Sequence, residues 1–259
     1  MPSIRVNEID LYYESHGSGP AILFAHGAGG NHLSWWQQVP AFCSEYRCIT
    51  FDHRAFGRSL DTSGHGRASC ARDAVALLDH LEIERAFVVA QSMGGRTAAG
   101  LVRTAAGRVR ALVLAGTIGG AVDEHVRELQ HAFSASLPPG LTLLDRAIDD
   151  RTRRERPDLA FLYRSIARLN PPRSRDFLAP RPGYQGSTAA MYADSHIPLL
   201  FLVGEHDRIV PPHIAEAAHR LVPGSRFAVI PGAGHSAYFE QAEGFNETVR
   251  RFLREAEQG

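Results

Sequence analysis

Three residue types that together perform nucleophilic chemistry stand at separate places in this chain, each just beyond an apolar run. Ser92 follows Ala86-Phe87-Val88-Val89-Ala90-Gln91 and precedes Met93-Gly94-Gly95. Asp207 closes Gly204-Glu205-His206-Asp207 after Pro198 to Val203, and His235 closes Pro231-Gly232-Ala233-Gly234-His235 after Phe227 to Ile230. A serine hydroxyl is a weak nucleophile until an imidazole accepts its proton, and the imidazole needs a carboxylate to fix its tautomer. Each residue alone has an ordinary explanation. Small-Ser-small turns abound in Ala/Gly-rich chains, Asp forms turns, and a His in a glycine-rich loop is usually just exposed. Their shared placement, in the order serine, acid, histidine, points to one constellation.

The elements that must position them follow from the apolar pattern. Runs without alternation suit parallel strands covered on both faces, and Thr97-Ala98-Ala99-Gly100-Leu101-Val102 beyond Ser92 suits a closely packed helix. Ser92 then sits at a strand-to-helix hinge, a nucleophile elbow of the Gly-x-Ser-x-Gly type. Ala90 and Gly94 fill the two positions that must be small. An earlier strand, Ala21 to Ala25, runs into His26-Gly27-Ala28-Gly29-Gly30-Asn31-His32, whose glycines admit close backbone approach. The amides of Ala28 and Met93 are the expected donors of an oxyanion hole.

Further strands are predicted at Arg47 to Phe51 and Val109 to Ala115, with an opening hairpin of Ile4 to Val6 and Ile9 to Tyr13. Helices are predicted over Ala68 to Leu81 and, closing the chain, Ala237 to Glu257. Asp52 to Ser59 reads as a turn held by its Asp, Gly and Ser. Strand and helix alternate, which predicts an α/β fold: a mostly parallel central sheet with helices on both faces and ligands at the carboxyl ends of its strands.

Composition narrows the partners. Acidic and basic residues balance at 28 each over 259 residues, giving no support to a nucleic-acid or acidic-membrane partner. Every basic side chain other than histidine is arginine, so Schiff-base chemistry by a catalytic lysine is excluded. Cys43, Cys48 and Cys70 lack metal-ligand spacing and read as reduced thiols. Glu205-His206-Asp207 has no second ligand cluster to match it, so no metal and no cofactor are expected. Without a signal-peptide layout or a bilayer-length apolar run, the expected location is cytoplasmic. A small-molecule substrate is expected; oligomeric state is not legible.

Taken together, His26-Gly27, the turn from Asp52 to Ser59, Ala90 to Gly95, Asp207 and His235 give the chain a resemblance to the α/β-hydrolase superfamily over nearly its whole length. The matching positions there are oxyanion loop, structural turn, elbow, acid and base. Ala55 and Ala90 depart from glycines common in the family. The family often carries a helical cap between core strands, and the break in alternation after Gly116 resembles one. The expected division is a core of 1–117 and 196–259 with a cap of 118–195. Phe133, Leu137, Phe161, Tyr163, Tyr184, Met191 and Tyr192 are its candidate pocket residues. The arginines from Arg146 to Arg181 could attract an anionic substrate, but acids are interleaved among them and the favoured reading is a solvated face.

The resemblance implies a serine hydrolase acting on a small ester, lactone or related carbonyl through an acyl-enzyme. Serine at the elbow argues against epoxide and haloalkane hydrolysis, which use a carboxylate nucleophile in this family. Two alternatives stay open: a cofactor-free oxygenase or lyase in which the histidine is a base, and a receptor-like protein that binds ligand with little turnover.

Overall fold

The computed structural model describes residues 2–173, 177 and 189–258, with Leu144 described in its backbone alone. Its strands are β1 (Ser3–Val6), β2 (Ile9–His16), β3 (Ala21–Ala25), β4 (Arg47–Phe51), β5 (Ala86–Gln91), β6 (Val109–Ala115), β7 (Leu199–Gly204) and β8 (Arg226–Ile230). They form one sheet in the order β1-β2-β4-β3-β5-β6-β7-β8. The β1–β2 and β2–β4 pairs are antiparallel, and all the others are parallel.

The helices are α1 (Gln38–Phe42), α2 (Cys70–His80), α3 (Gly94–Ala105), α4 (Glu124–Ser136), α5 (Leu143–Ala147), α6 (Asp150–Glu155), α7 (Pro157–Arg168), α8 (Ala189–Ser195), α9 (Pro212–Arg220), α10 (Ala237–Glu240) and α11 (Ala242–Gln258). Two helix boundaries differ from the sequence pattern for local reasons. The stretch expected from Ala68 starts as a 3-10 turn over Gly66–Ser69 before α2 begins. The single closing helix expected over Ala237 to Glu257 is broken at Gln241, whose backbone (φ −130°, ψ 58°) leaves the helical region. Among the described residues none of these helices is long and apolar enough to cross a membrane.

Strands covered on both faces divide their side chains by parity. Leu23, Val88, Leu112, Leu114 and Phe201 face one core, shared with Leu77 and Leu78 of α2, Leu101 of α3 and Ile214 of α9. Ile22, Phe24, Phe87, Val113 and Leu202 face the other, with Phe42 of α1 and Phe245, Val249 and Leu253 of α11. Burying one such side chain contributes about 1.5–3 kcal/mol, so the two cores hold the sheet as a rigid platform.

The strand order also creates the site. Neighbours β4 and β5 lie on opposite sides of β3, so the chain reverses its direction of winding there. The loops after β3 and β5 open a crevice at their carboxyl ends. The glycine-rich His26 to His32 loop and the turn at Ser92 are those loops. A methyl group on Gly27 would run into the Gln91 side-chain oxygen and lie 3.1 Å from Ser92 Cβ.

Gly94 meets the same crowding from the helix side. A Cβ there would collide with the Ala25 carbonyl oxygen, its carbon 2.8 Å away, and approach His26 O at 3.0 Å. These are backbone atoms of β3 and its loop, which cannot rotate aside. Gly94→Ala is expected to destabilise the chain by about 1–3 kcal/mol, the usual range for overpacking. Thermal unfolding followed by circular dichroism checks it, and an unchanged melting temperature would mean that β3 and α3 can separate freely.

Candidate active site

Ser92 occupies the turn between β5 and α3 with φ 49°, a left-handed conformation costing a non-glycine residue about 1–2 kcal/mol. Its N–H donates to Ala115 O of β6 at 2.9 Å and its carbonyl accepts from Gly95 N–H at 3.0 Å, fixing the turn from both sides. Ala90, two residues earlier, is fully buried in the core that also holds Ala98 of α3. The extra methyl relative to glycine is absorbed by packing. At Ala55 the outcome differs: φ is +65°, so alanine carries strain there that glycine would avoid.

Asp207 and His235 are both buried at the ends of the neighbouring strands β7 and β8. His235 Nδ1 stands 3.0 and 2.9 Å from the two carboxylate oxygens of Asp207. Oδ1 also accepts the amides of Ile209 at 2.7 Å and Val210 at 2.9 Å, so its loop orients the carboxylate. With a carboxylate at Nδ1, that nitrogen carries the proton and Nε2 keeps a free lone pair. Among the described residues Ser92 Oγ makes no hydrogen bond to His235; a contact of this kind commonly tightens only when substrate fills the site.

Two features near the imidazole lie outside what the sequence suggested. A Cβ on Gly116 (φ +58°) would come within 3.0–3.1 Å of His235 O, Cε1 and Nδ1, so the ring packs on the backbone just after β6. Gly116→Ala is therefore expected to displace the imidazole and lower turnover by about 10²-fold, the effect of a small misplacement of a reacting group. Steady-state kinetics beside a melting curve separate this from unfolding.

The second feature is Glu240 on α10. Its carboxylate accepts Gly234 N–H at 3.1 Å, Asp149 N–H at 2.9 Å and the Thr152 hydroxyl at 2.8 Å. It thereby ties the histidine loop to α6. Burial raises the Glu240 pKa against the pull of these donors. A lone Glu in a helix gives no sequence signal for such a tether.

The loop after β3 is preorganised by a second histidine. His26 Nδ1 donates to Gly27 O at 2.8 Å while Nε2 accepts His53 N–H at 3.0 Å, which defines a neutral imidazole. Burial first, then the neighbouring His53, pushes its pKa well below the ordinary value. Asp52, expected only to hold its turn, does so by accepting His32 N–H at 2.7 Å and Arg58 N–H at 2.8 Å. The turn and the loop are thus one rigid unit. Among the described residues the N–H groups of Ala28 and Met93 donate to no other group, and both residues border the cavity at Ser92.

That cavity has a volume of about 540 Å³. Its walls come from the segment after β6, Gly116 to Gly120 and Val122, from Gln130 of α4 and Leu143 of α5, and from Ile209 and Val210 after β7, with Arg67 and Arg96 at one side. Of the candidates chosen from the 118–195 segment, the described ones, Phe133, Leu137, Phe161, Tyr163, Met191 and Tyr192, are not among the wall residues. Tyr163 and Tyr192 are buried in packing: Tyr163 OH accepts the Ser236 hydroxyl at 3.2 Å, and Tyr192 OH donates to Gly119 O at 2.7 Å. Phe133 packs against His213 and the sheet core, and Met191 packs against the same core. Leu137 is half-buried after α4, and Phe161 is 70% exposed. Tyr184 lies outside the described residues. Apolar residues in a helical segment face its own packing as readily as a pocket, and their periodicity does not distinguish the two. The apolar wall residues, such as Ile118, Val122, Leu143, Ile209 and Val210, come from separate loops and helix ends, so no single periodic stretch marks them.

A strained serine elbow on a doubly covered, mostly parallel sheet, beside a buried histidine–carboxylate pair, defines an α/β enzyme of the hydrolase class. Residues 22–248 match the Alpha/beta hydrolase family, and the chain belongs to that family. It is 30% identical over 260 residues to BpoC of Mycobacterium tuberculosis, provisionally named a non-heme bromoperoxidase, covering 95% of this chain and 98% of that one. Among solved structures it is similar to a thermophilic esterase from Thermogutta terrifontis. The TM-score is 0.81 at 29% identity, over 96% of this chain and 94% of the esterase. Est816, described as an N-acyl homoserine lactone degrading enzyme, gives a TM-score of 0.79 at 25% identity, over 97% and 100% of the two chains.

Proposed function

We propose that this enzyme hydrolyses a small ester, lactone or related carbonyl compound by acyl transfer through Ser92, His235 and Asp207. The observation that carries this is the left-handed Ser92 at the strand–helix turn, with two unengaged amides beside it and a buried Asp207–His235 pair on the adjacent strand ends. His235 Nε2 takes the hydroxyl proton as Ser92 Oγ attacks the carbonyl carbon. The Ala28 and Met93 amides receive the developing oxyanion. Collapse of the tetrahedral adduct breaks the ester bond, and the proton on His235 leaves with the alcohol. Water, giving its proton to the same nitrogen, attacks the acyl-enzyme; the acid is released and Ser92 is reprotonated.

The likeness to an esterase and a lactone-degrading enzyme supports this substrate class. The segment 118–195, whose described residues include α4 to α8, acts as a cap: α6 is tied to the histidine loop through Glu240, and Arg208 beside Asp207 pairs with Asp150 at 2.7 Å. The test is covalent. A fluorophosphonate reporter is expected to add one phosphonyl group per chain, mapped by peptide mass spectrometry to Ser92. Labelling elsewhere, or none of a folded protein that turns over an ester, would overturn the assignment of the nucleophile.

A further inference from the structure

The imidazole of His235 is held by its neighbours along the chain as well as by Asp207. On one side Gly234 donates its N–H to Glu240 Oε1 at 3.1 Å, and a Cβ on Gly234 would come within 2.9 Å of that oxygen and 2.8 Å of Asp149 N. On the other side Ser236 is fully buried; its N–H donates to Ala147 O at 3.1 Å and its hydroxyl to Tyr163 OH at 3.2 Å. Both flanking residues are therefore fixed by the part of the chain from α5 to α7. Ser236 touches it directly. Gly234 reaches it through Glu240, whose other oxygen accepts Asp149 N–H at 2.9 Å and the Thr152 hydroxyl at 2.8 Å.

These contacts close into a ring. His235 Nδ1 meets Asp207 Oδ2 at 2.9 Å, and the next residue, Arg208, pairs with Asp150 at 2.7 Å. Asp149 donates to Glu240, and Glu240 accepts from Gly234, beside His235. The acid and histidine loops are also joined directly, His206 N–H donating to Ala233 O at 2.8 Å. A buried carboxylate held by neutral donors is a poor source of stability, because desolvation offsets its hydrogen bonds, but its two oxygens fix the spacing of the N–H groups that share it. Tyr163 brings the loop after β3 into the same framework. Its hydroxyl lies 3.1 Å from where a Gly29 Cβ would stand, and burial pushes its pKa up to about 12, so the oxygen keeps its proton. Asn31 of that loop donates its side-chain N–H to Ile166 O of the same helix at 3.0 Å. Helix α7 thus braces both the loop that carries the Ala28 amide and the loop that carries His235.

We propose that Glu240 and Tyr163 are positioning residues, which set the His235 imidazole against Ser92 and the Ala28 amide by holding Gly234 and Ser236. The assignment rests on the acyl-transfer reading, in which that imidazole is the base. Displacing a reacting group by about 1 Å costs about 10²-fold in rate, so a modest restraint on the backbone has a large effect on turnover.

Three variants of the full chain test it. Glu240→Gln keeps the size and loses one acceptor. Whichever way the amide lies, Gly234 or Asp149 presents its N–H to another N–H, and the link breaks at one end. For a p-nitrophenyl ester kcat is expected to fall about 30-fold with KM within about twofold. Tyr163→Phe removes the acceptor of the Ser236 hydroxyl and should lower kcat about fivefold. Thr152→Val takes one donor from Glu240 but leaves both backbone N–H groups on it; it should lower the melting temperature and leave kcat within about twofold. Proton–nitrogen correlation spectra of isotope-labelled histidine side chains, with His235 identified by its loss in His235→Gln, read the tautomer. The Nδ1–H form is expected in the parent and in Thr152→Val, and a mixture with the Nε2–H form in Glu240→Gln. An unchanged tautomer in Glu240→Gln, or an unchanged kcat beside a lowered melting temperature, makes Glu240 a structural tether and overturns the proposal. So does a kcat loss in Thr152→Val as large as that of Glu240→Gln, since any loosening of α6 would then have the same effect. Tyr163→Phe with the kcat of the parent removes Tyr163 from the assignment. A parent chain that turns over no ester removes the acyl-transfer reading, and the tautomer in Glu240→Gln then decides for or against positioning by itself.

Discussion

Ser92→Ala is expected to lower kcat for a p-nitrophenyl ester by about 10⁶-fold with little change in KM, the scale seen when the nucleophile of a serine triad is removed. The loss is confined to chemistry because the alanine keeps the same left-handed turn, and the hydrogen bonds of residue 92 to Ala115 and Gly95 are backbone ones. Melting behaviour should therefore be near that of the parent chain. A variant with activity within about tenfold of the parent would mean that His235 acts directly on substrate as a base, as in a cofactor-free lyase or oxygenase. Residual rates well above the uncatalysed reaction remain compatible with acyl transfer, since oriented amides and substrate binding still accelerate attack by water.

Asp207→Asn is expected to reduce kcat by about 10⁴-fold. The reason lies in the donors around the carboxylate. Oδ1 accepts two loop amides, Ile209 and Val210, so an asparagine must place its own oxygen there. Its NH₂ then occupies the position of Oδ2, 2.9 Å from His235 Nδ1. The retained oxygen, 3.0 Å from Nδ1, already holds two amides, so the NH₂ donor facing Nδ1 favours moving the proton to Nε2, the nitrogen that must be free to accept from Ser92. Stability should change little, because the loop amides keep their acceptor. The readout is kcat over pH, and a loss below about tenfold would show that Asp207 does not set the tautomer.

Much of this was legible in one dimension because it depends on local pattern. Unbroken apolar runs mark strands buried on both faces, and the parity of Leu23 and Phe24, or Val88 and Val89, assigns each residue to one of the two cores once the sheet forms. The elbow was legible because only small residues fit beside a left-handed serine. Helix ends were less so: Gln241 breaks the last helix without a proline or glycine to announce it.

The sequence by itself determined the residue types able to carry out acyl transfer, their order along the chain and their placement just beyond strands, since strand burial and turn sterics act between near neighbours. Only the tertiary structure decided that β3 sits between β4 and β5, so that two distant loops form one crevice. It likewise decided that His235 rests on Gly116, that Glu240 ties the histidine loop to α6, and that Tyr163 meets Ser236. Those contacts join residues scores of positions apart. Their energies come from packing and from charges brought together in a poorly solvated space, and no short-range pattern records which distant partner a side chain will meet.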